Sequence, residues 1–272
     1  MQVLSLVNQK GGCGKTTTAV NLAGALAARG ESVLLVDLDP QAHATLALGQ
    51  APEPHEASVA EVLLDEAQAS EAIIRCPGGI DLLPARLDLG EFEEISGRIL
   101  HPEQRLRVVV ETLRGRYEWI VVDCPPRADG VLCANALFAS TTAMLVVETG
   151  AFALQGALQA LQIFDVAAER QNRVYRIRVV GTLFDRRTRF ARELLIALHG
   201  RFAGVMYDTV IRSSVRLREG PAVGLPIQEH APGSRAAADF AALAEEIYLD
   251  KQVNLPDSDG VRTGEAQVDG WA

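Results

Sequence analysis

Hydrophobic residues fall along this chain in two alternating textures. Short continuous apolar runs occupy residues 3–7, 32–37, 119–123 and 143–147. Runs of that length, bounded by polar or turn-forming residues, read as strands buried on both faces. Residues 80–84, 177–183 and 205–211 are further strand candidates. Between them, apolar residues recur every third or fourth position, which predicts helices at 19–29, 58–66, 87–100, 102–114, 131–139, 153–170, 189–202 and 234–249. Ser58 with Glu61 three residues on has the spacing of a capping box, and Pro102 suits a first helical turn. Residues 213–219 read as a short helix or turn, and 50–57 as a polar, proline-containing loop. Strand–helix alternation over nearly the whole length implies an α/β fold, a mostly parallel twisted sheet with helices on both faces. Residues 1–250 are expected to form a single domain. Residues 251–272, rich in Asp, Gly and Ser, read as a disordered polar tail.

Composition narrows the class. Of the 272 residues, 48% are hydrophobic and 22% charged, so a sizeable core is available. No apolar run approaches the roughly 20 residues of a membrane span. The chain enters its first strand without a basic segment or cleavage site, and so reads as lacking a signal peptide. Cys13, Cys76, Cys124 and Cys133 show neither metal-ligand spacing nor disulfide density, which points to reduced thiols in a cytoplasm. The net charge of −9 argues against a surface that binds nucleic acid throughout. Its distribution is uneven, however. Between Arg170 and Arg218 there are twelve arginines and only three acids, Asp185, Glu193 and Asp208. This predicts one electropositive face, against the plainer reading of solvated helix surfaces.

The densest chemistry lies between the first strand and first helix, in Asn8-Gln9-Lys10-Gly11-Gly12-Cys13-Gly14-Lys15-Thr16-Thr17-Thr18. Strand, glycine loop and helix form the context of a phosphate-binding loop. The glycines let several N–H groups converge on one anion, and the following helix adds its positive end. Lys15 suits the outer phosphates, and the Thr16 hydroxyl suits magnesium. The loop departs from the usual pattern by carrying a second lysine, Lys10. Two later strands end in acid: Asp37, followed by Asp39, and Asp123. At the carboxyl edge of a parallel sheet these acids flank the ligand position. Asp123 is the candidate to hold magnesium through water and Asp37 to support the metal shell. Asp39 is the candidate to orient the attacking water.

Together these stretches resemble a known family. Lys10 to Thr18 is similar to the deviant Walker A loop of the ParA/MinD ATPases. Asp37-Leu38-Asp39-Pro40-Gln41 and Asp123-Cys124-Pro125-Pro126 resemble the other two nucleotide motifs of the ParA branch. Residues 184–188 and 215–219 resemble late blocks of short chromosomal-type ParA proteins. The resemblance spans roughly residues 2–249. It implies a weakly active ATPase using ATP and Mg2+, with Lys10, Gly11, Gly12, Cys13, Gly14, Lys15, Thr16 and Thr17 around the nucleotide. It implies catalytic roles for Lys10 and Asp39, and metal roles for Thr16, Asp37 and Asp123. In the family, the lysine matching Lys10 reaches a partner's phosphates in an ATP-bound homodimer, and that dimer binds double-stranded DNA without sequence preference. Arg187 and Arg216 match the family's DNA-binding positions; Arg186, Arg189 and Arg218 join them from the local charge excess. The implied cargo is a chromosome or plasmid presented by a ParB-like protein, or alternatively a protein cargo such as a chemoreceptor cluster or microcompartment with its own adaptor, and a cytoplasmic, nucleoid-associated location follows. Two departures stand out: Ala42-His43 where the family commonly has Gly-Asn, and Arg212-Ser213-Ser214 where it often has Pro-Arg-Asn.

Two rival classes share the loop. A MinD-like membrane-associated regulator needs a terminal basic amphipathic helix, whereas residues 257–272 are acidic. An iron–sulfur reductase needs two cysteines per subunit at a dimer axis, and no cysteine lies between Cys76 and Cys124 to join Cys133.

Overall fold

The continuous apolar runs form the centre of a single sheet. The computed structural model describes residues 1–51, 57–127, 129–150, 152–171 and 176–253. Among these residues the strands are β1 (Gln2–Val7), β2 (Val33–Asp37), β3 (Ile74–Arg75), β4 (Ile80–Leu83), β5 (Trp119–Asp123), β6 (Thr142–Glu148), β7 (Arg176–Phe184) and β8 (Met206–Arg212). They lie in the order β3-β4-β2-β5-β1-β6-β7-β8. All neighbours are parallel except β3, which runs antiparallel to β4.

The helices are α1 (Lys15–Ala28), α2 (His43–Ala47), α3 (Val59–Leu64), α4 (Ala69–Ala72), α5 (Leu89–Ile95), α6 (Arg105–Thr112), α7 (Val131–Ala139), α8 (Ala153–Gln171), α9 (Arg189–Arg201), α10 (Arg216–Glu219), α11 (Ile227–His230) and α12 (Arg235–Val253). Leu4, Leu6, Val33, Leu35 and Val121 face a core made with α1 and α12. Val3, Val7, Leu34, Val36, Ile120 and Val122 face the opposite core, made with α3 and α5–α8. Successive residues of a strand point to opposite faces. Asp37 and Asp123 therefore continue the parity of Leu35 and Val121, on the face that α1 covers. They are also direct register partners across β2 and β5.

The chain leaves β1 for β2, two places away, and β5 later fills the gap. β6 then pairs on the other side of β1. The carboxyl end of β1 is thus the point where the strand order reverses, the usual ligand crevice of an open α/β sheet.

Most predicted elements are present, and the differences have physical reasons. The helix expected over 87–100 stops at Ile95 and continues as a single 3-10 turn, Ser96–Arg98, which contains Gly97. The helix expected over 102–114 starts as a 3-10 turn, Pro102–Gln104. β3, α2, α4 and α11 escaped the pattern because two to five residues carry no readable period. The capping box at Ser58 is formed, with Glu61 reaching back to the Ser58 N–H at 2.8 Å. The tail expected from Lys251 begins instead as helix, since α12 runs to Val253. Its end is anchored: the Lys251 ammonium lies 4.9 Å over the Trp119 ring, and Asp250 pairs with Arg176 and Arg178. Residues 254–272, and 52–56 of the predicted loop, lie outside the described residues.

Candidate functional site

The glycine loop is held from both sides. Asn8 donates from Nδ2 to the Val146 carbonyl at 2.6 Å, and its Oδ1 accepts the Lys10 N–H at 3.0 Å. On the far side, the Thr182 hydroxyl donates to the Cys13 carbonyl at 2.7 Å. Gly12 and Gly14 have φ values of 76° and 90°, in the left-handed region that a side chain disfavours. Gly14 is the N-cap of α1, and no side chain caps that helix. The first-turn amides are therefore left for an anion. Cys13 is fully buried, and burial pushes its thiol upward, so it acts as a small filler.

The two lysines of the loop are placed differently. Lys15 is 7% exposed, and its ammonium donates back to the Lys10 carbonyl at 3.3 Å. Lys10 stands at the rim, with 48% of its side chain exposed, paired with Glu148 at the end of β6.

The three predicted aspartates converge. Asp123 is fully buried, and neither carboxylate oxygen has a hydrogen-bond partner. Burial raises its pKa well above the usual carboxylate range, and the neighbouring Asp37 charge adds to this; Thr16 and Lys15 oppose the shift. Asp37, also fully buried, is pushed up to about 6, mainly by burial. Three donors hold it back: the Asp39 N–H at 3.1 Å, and the Thr45 N–H and hydroxyl, both at 2.8 Å. Asp39 is 8% exposed, and its Oδ1 accepts the Gln41 N–H at 3.0 Å.

An orphaned buried carboxylate beside a helix that starts Lys15-Thr16 fits a cation that shares its other ligands with phosphate and water. Among the described residues no group of three or more His, Cys, Asp and Glu side chains is arranged to hold a metal. Magnesium bound with substrate phosphates needs no such cage.

The arginines divide. Arg186, Arg187 and Arg218 border one hollow of about 540 Å3 at the carboxyl ends of β7 and β8, together with Phe184, Ser213 and Ser214. Arg216 instead borders a cleft of about 250 Å3 beside Thr16, Thr17 and His43. Arg189 starts α9. Arg187 is paired with Asp185, Arg189 with Glu193 and Arg216 with Glu219. Arg186, Arg192 and Arg218 have no ion pair among the described residues. The expected single electropositive face needs correction. Arg176 and Arg178 are bound by Asp250, and Arg212 by Asp239, because α12 lays its acids against β7 and β8. Arg173 lies outside the described residues.

Sequence reasoning missed Thr45 and Asn21. Asn21 ties α1 to α11, accepting the Ile227 N–H at 2.6 Å and donating to the Thr17 carbonyl at 2.7 Å. Its placement on the buried face of an Ala/Leu-rich helix was the available signal.

A loop shaped to wrap an anion, backed by a carboxylate that only a cation would satisfy, gives the fold the character of a P-loop nucleotide-binding protein. Comparison with known proteins agrees. A family profile described as an AAA domain matches residues 1–177. The sporulation initiation inhibitor protein Soj of Bacillus subtilis is 36% identical over 248 residues, covering 90% of this chain and 98% of its own. The chromosome-partitioning ATPase Soj of Thermus thermophilus is 38% identical over 247 residues, covering 90% of this chain and 94% of its own. Among solved structures, a cobyrinic acid a,c-diamide synthase from Mycobacterium smegmatis with bound ADP and magnesium superposes with a TM-score of 0.82 at 30% identity, over 93% of this chain and 96% of that one. The chain belongs to the ParA/Soj group of the ParA/MinD P-loop ATPases.

Proposed function

We propose that the protein is an ATP-driven partition switch, in which ATP closes two copies into a dimer, the dimer binds double-stranded DNA without sequence preference, and partner-stimulated hydrolysis releases it. The cargo in this reading is a chromosome or plasmid, presented by a ParB-like adaptor. The observation that carries it is the split between the two loop lysines. Lys15 is folded into its own loop, whereas Lys10 stays at the exposed rim, tethered by a single ion pair to Glu148. A lysine held outside its own phosphate cradle is available to a second copy. Sites completed by a second subunit are the natural device for a nucleotide-gated dimer.

In this mechanism the amides of residues 11–17 and Lys15 hold the phosphates. Magnesium, when bound, supplies charge neutralisation at the phosphates, held by the Thr16 hydroxyl and, through water, by Asp123. Asp37 supports that shell from behind Asp123, without itself reaching the cation. Asp39, with only Oδ1 engaged by Gln41 among the described residues, orients the attacking water. Positioning and electrostatics do most of the work in phosphoryl transfer. Arg186, Arg187, Arg189, Arg216 and Arg218 supply the DNA contacts. Exposed pairs such as Arg187–Asp185 are held weakly against solvent, so a phosphate can replace the carboxylate. One observation bears on the iron–sulfur rival. Cys124 and Cys133 lie buried in the core between β5 and α7, which disfavours a cluster shared at a subunit boundary.

The test is size-exclusion chromatography with and without ATP, combined with DNA retention, on the wild type and Asp39→Ala. The variant should accumulate as an ATP-dependent, DNA-bound dimer with hydrolysis reduced at least about a hundredfold, the scale of losing a positioned general base. Hydrolysis at the wild-type rate, or a wild type that stays monomeric with ATP, would refute the reading.

A further inference from the structure

Two buried carboxylates stand side by side at the carboxyl edge of the sheet, and the fold treats them in opposite ways. Asp123 receives no hydrogen bond on either oxygen. Asp37 receives three, two of them from Thr45, eight residues later in the chain. Thr45 is fully buried on α2, a five-residue helix entered through Ala42 at a left-handed φ of 53°. Its hydroxyl also accepts the N–H of Ala85, 3.0 Å away in the segment after β4. That contact decides where the hydroxyl hydrogen goes. A hydroxyl has one hydrogen to donate. The Ala85 N–H takes a lone pair of Oγ1, and the hydrogen is given to Asp37 Oδ2. The result is a one-way relay, Ala85 N–H to Thr45 Oγ1–H to Asp37, in which each bond polarises the next.

We infer that Thr45 is the positioning residue of the cation site: it fixes the plane of the Asp37 carboxylate and occupies its lone pairs, so that Asp123 alone is left open toward an incoming cation. This rests on the nucleotide-site reading given above. Thr45 acts through Asp37 and not on the reacting groups. Serine keeps the relay. Valine keeps the volume but leaves the Ala85 N–H without an acceptor and Asp37 with one donor fewer. Without the hydroxyl, Asp37 keeps one backbone N–H on each oxygen but has a lone pair of Oδ2 open to compete with Asp123 for the same cation.

The test uses the full chain and a fluorescent ATP analogue, titrated with magnesium, with thermal melting measured alongside. Thr45→Val should raise the half-saturating magnesium concentration about five- to tenfold, the scale of one ordinary net hydrogen bond, since Thr45 acts on the cation only through Asp37. Its affinity for the analogue in EDTA should stay within about twofold of wild type. Thr45→Ser should stay within about twofold of wild type throughout. In an Asp37→Asn background, Thr45→Val should add nothing, since the two residues act as one unit. A magnesium requirement unchanged in Thr45→Val, or an effect undiminished in the Asp37→Asn background, overturns the assignment. If Thr45→Val does not fold, Thr45→Ala against Thr45→Ser is judged by the same criteria. Lys15→Ala separates the two levels of the argument. A wild type without magnesium-dependent binding, or a Lys15→Ala variant that binds like wild type, overturns the nucleotide site and the Thr45 assignment together. A Lys15-dependent wild type beside an indifferent Thr45→Val overturns the Thr45 assignment alone.

Discussion

Replacing Asp123 with asparagine separates the fold's interest from the site's. The wild-type carboxylate is fully buried and unpartnered, next to a second buried carboxylate. The scale comes from Asp37, which is better supplied with donors and is still raised from 3.8 to about 6 by burial. That shift corresponds to about 3 kcal/mol of penalty on ionisation. For Asp123, Thr16 and Lys15 oppose the shift but do not offset its burial. An amide at this position removes one charge and can donate to Asp37. It remains a buried polar group, which returns part of the gain. The expected stabilisation of the nucleotide-free protein at neutral pH is about 1–3 kcal/mol, or a melting temperature higher by roughly 2–10 °C for a domain of this size. The pH dependence has a definite sign. Both carboxyls have folded pKa values above their unfolded ones, so the folded state holds protons that the unfolded chain has released. Stability of the wild type without nucleotide therefore falls as pH rises from about 4 towards about 6 through Asp37, and the raised Asp123 carries the fall further up in pH. In Asp123→Asn the fall is shallower. Magnesium and ATP reverse the ranking. Ligand at a hundred times its dissociation constant adds about 2.7 kcal/mol to the wild type, whereas the variant gains much less. Melting curves in EDTA and in magnesium–ATP, between pH 5 and 8, read all of this. A variant that melts below wild type in EDTA, or that gains as much from magnesium–ATP, would show that Asp123 is not an orphan kept for a cation.

Charge reversal of Arg187 and Arg216 to glutamate should weaken retention of double-stranded DNA at least about tenfold. Their self-pairs are exposed, so the melting temperature should stay within about 2 °C of wild type. Wild-type DNA binding should also fall steeply with salt, and unchanged DNA affinity in the variant refutes the patch. Asn21→Ala leaves the Ile227 N–H without its acceptor and should cost about 2–3 kcal/mol, seen as a melting temperature lower by roughly 4–10 °C; a change under 1 °C contradicts the lock between α1 and α11. All four cysteines are buried, with Cys76 pushed up to about 12 by burial and by Asp81. Ellman's reagent at pH 8 should therefore react slowly with the native protein and completely in denaturant; four fast thiols in the native state would disprove that burial.

The parts of the site that were legible in the sequence are those in which chemistry and local structure share one stretch. Asp37 and Asp123 end apolar runs, and the rule that ligands sit at the carboxyl edge of parallel strands carries them to the site before any contact is known. Gly12 and Gly14 are legible for the same reason, since the loop demands left-handed backbone there. Thr45 was hidden because its role depends on α2, which is too short to show a period, and on Ala85, forty positions away. The approach to α2 runs through Ala42 at positive φ, where the family's usual glycine would sit without strain. The arginine block misled in part for the opposite reason. Counting charge along the chain cannot see that α12 returns Asp239 and Asp250 to Arg212, Arg176 and Arg178.

The placement of the two lysines bears on how two copies would share one nucleotide in the proposed switch. A triphosphate brings several negative charges to a site where a single chain offers one buried ammonium, that of Lys15, and one helix end. The acid pair behind it makes the local balance worse, because Asp37 and Asp123 add negative charge in a dry setting where it is screened least. Magnesium offsets part of this. Lys10 can supply more only by leaving Glu148, and that exposed pair is a weak tether, worth about 0–1 kcal/mol. Within its own chain Lys10 is at the rim and separated from Lys15 by a loop bent at Gly12 and Gly14. In the proposed dimer, a second copy facing the loop would bring its rim lysine to the opposite side of the phosphates, where a further cation is needed. On this reasoning the nucleotide's charge draws two copies together, and loss of its last phosphate removes the reason for them to stay.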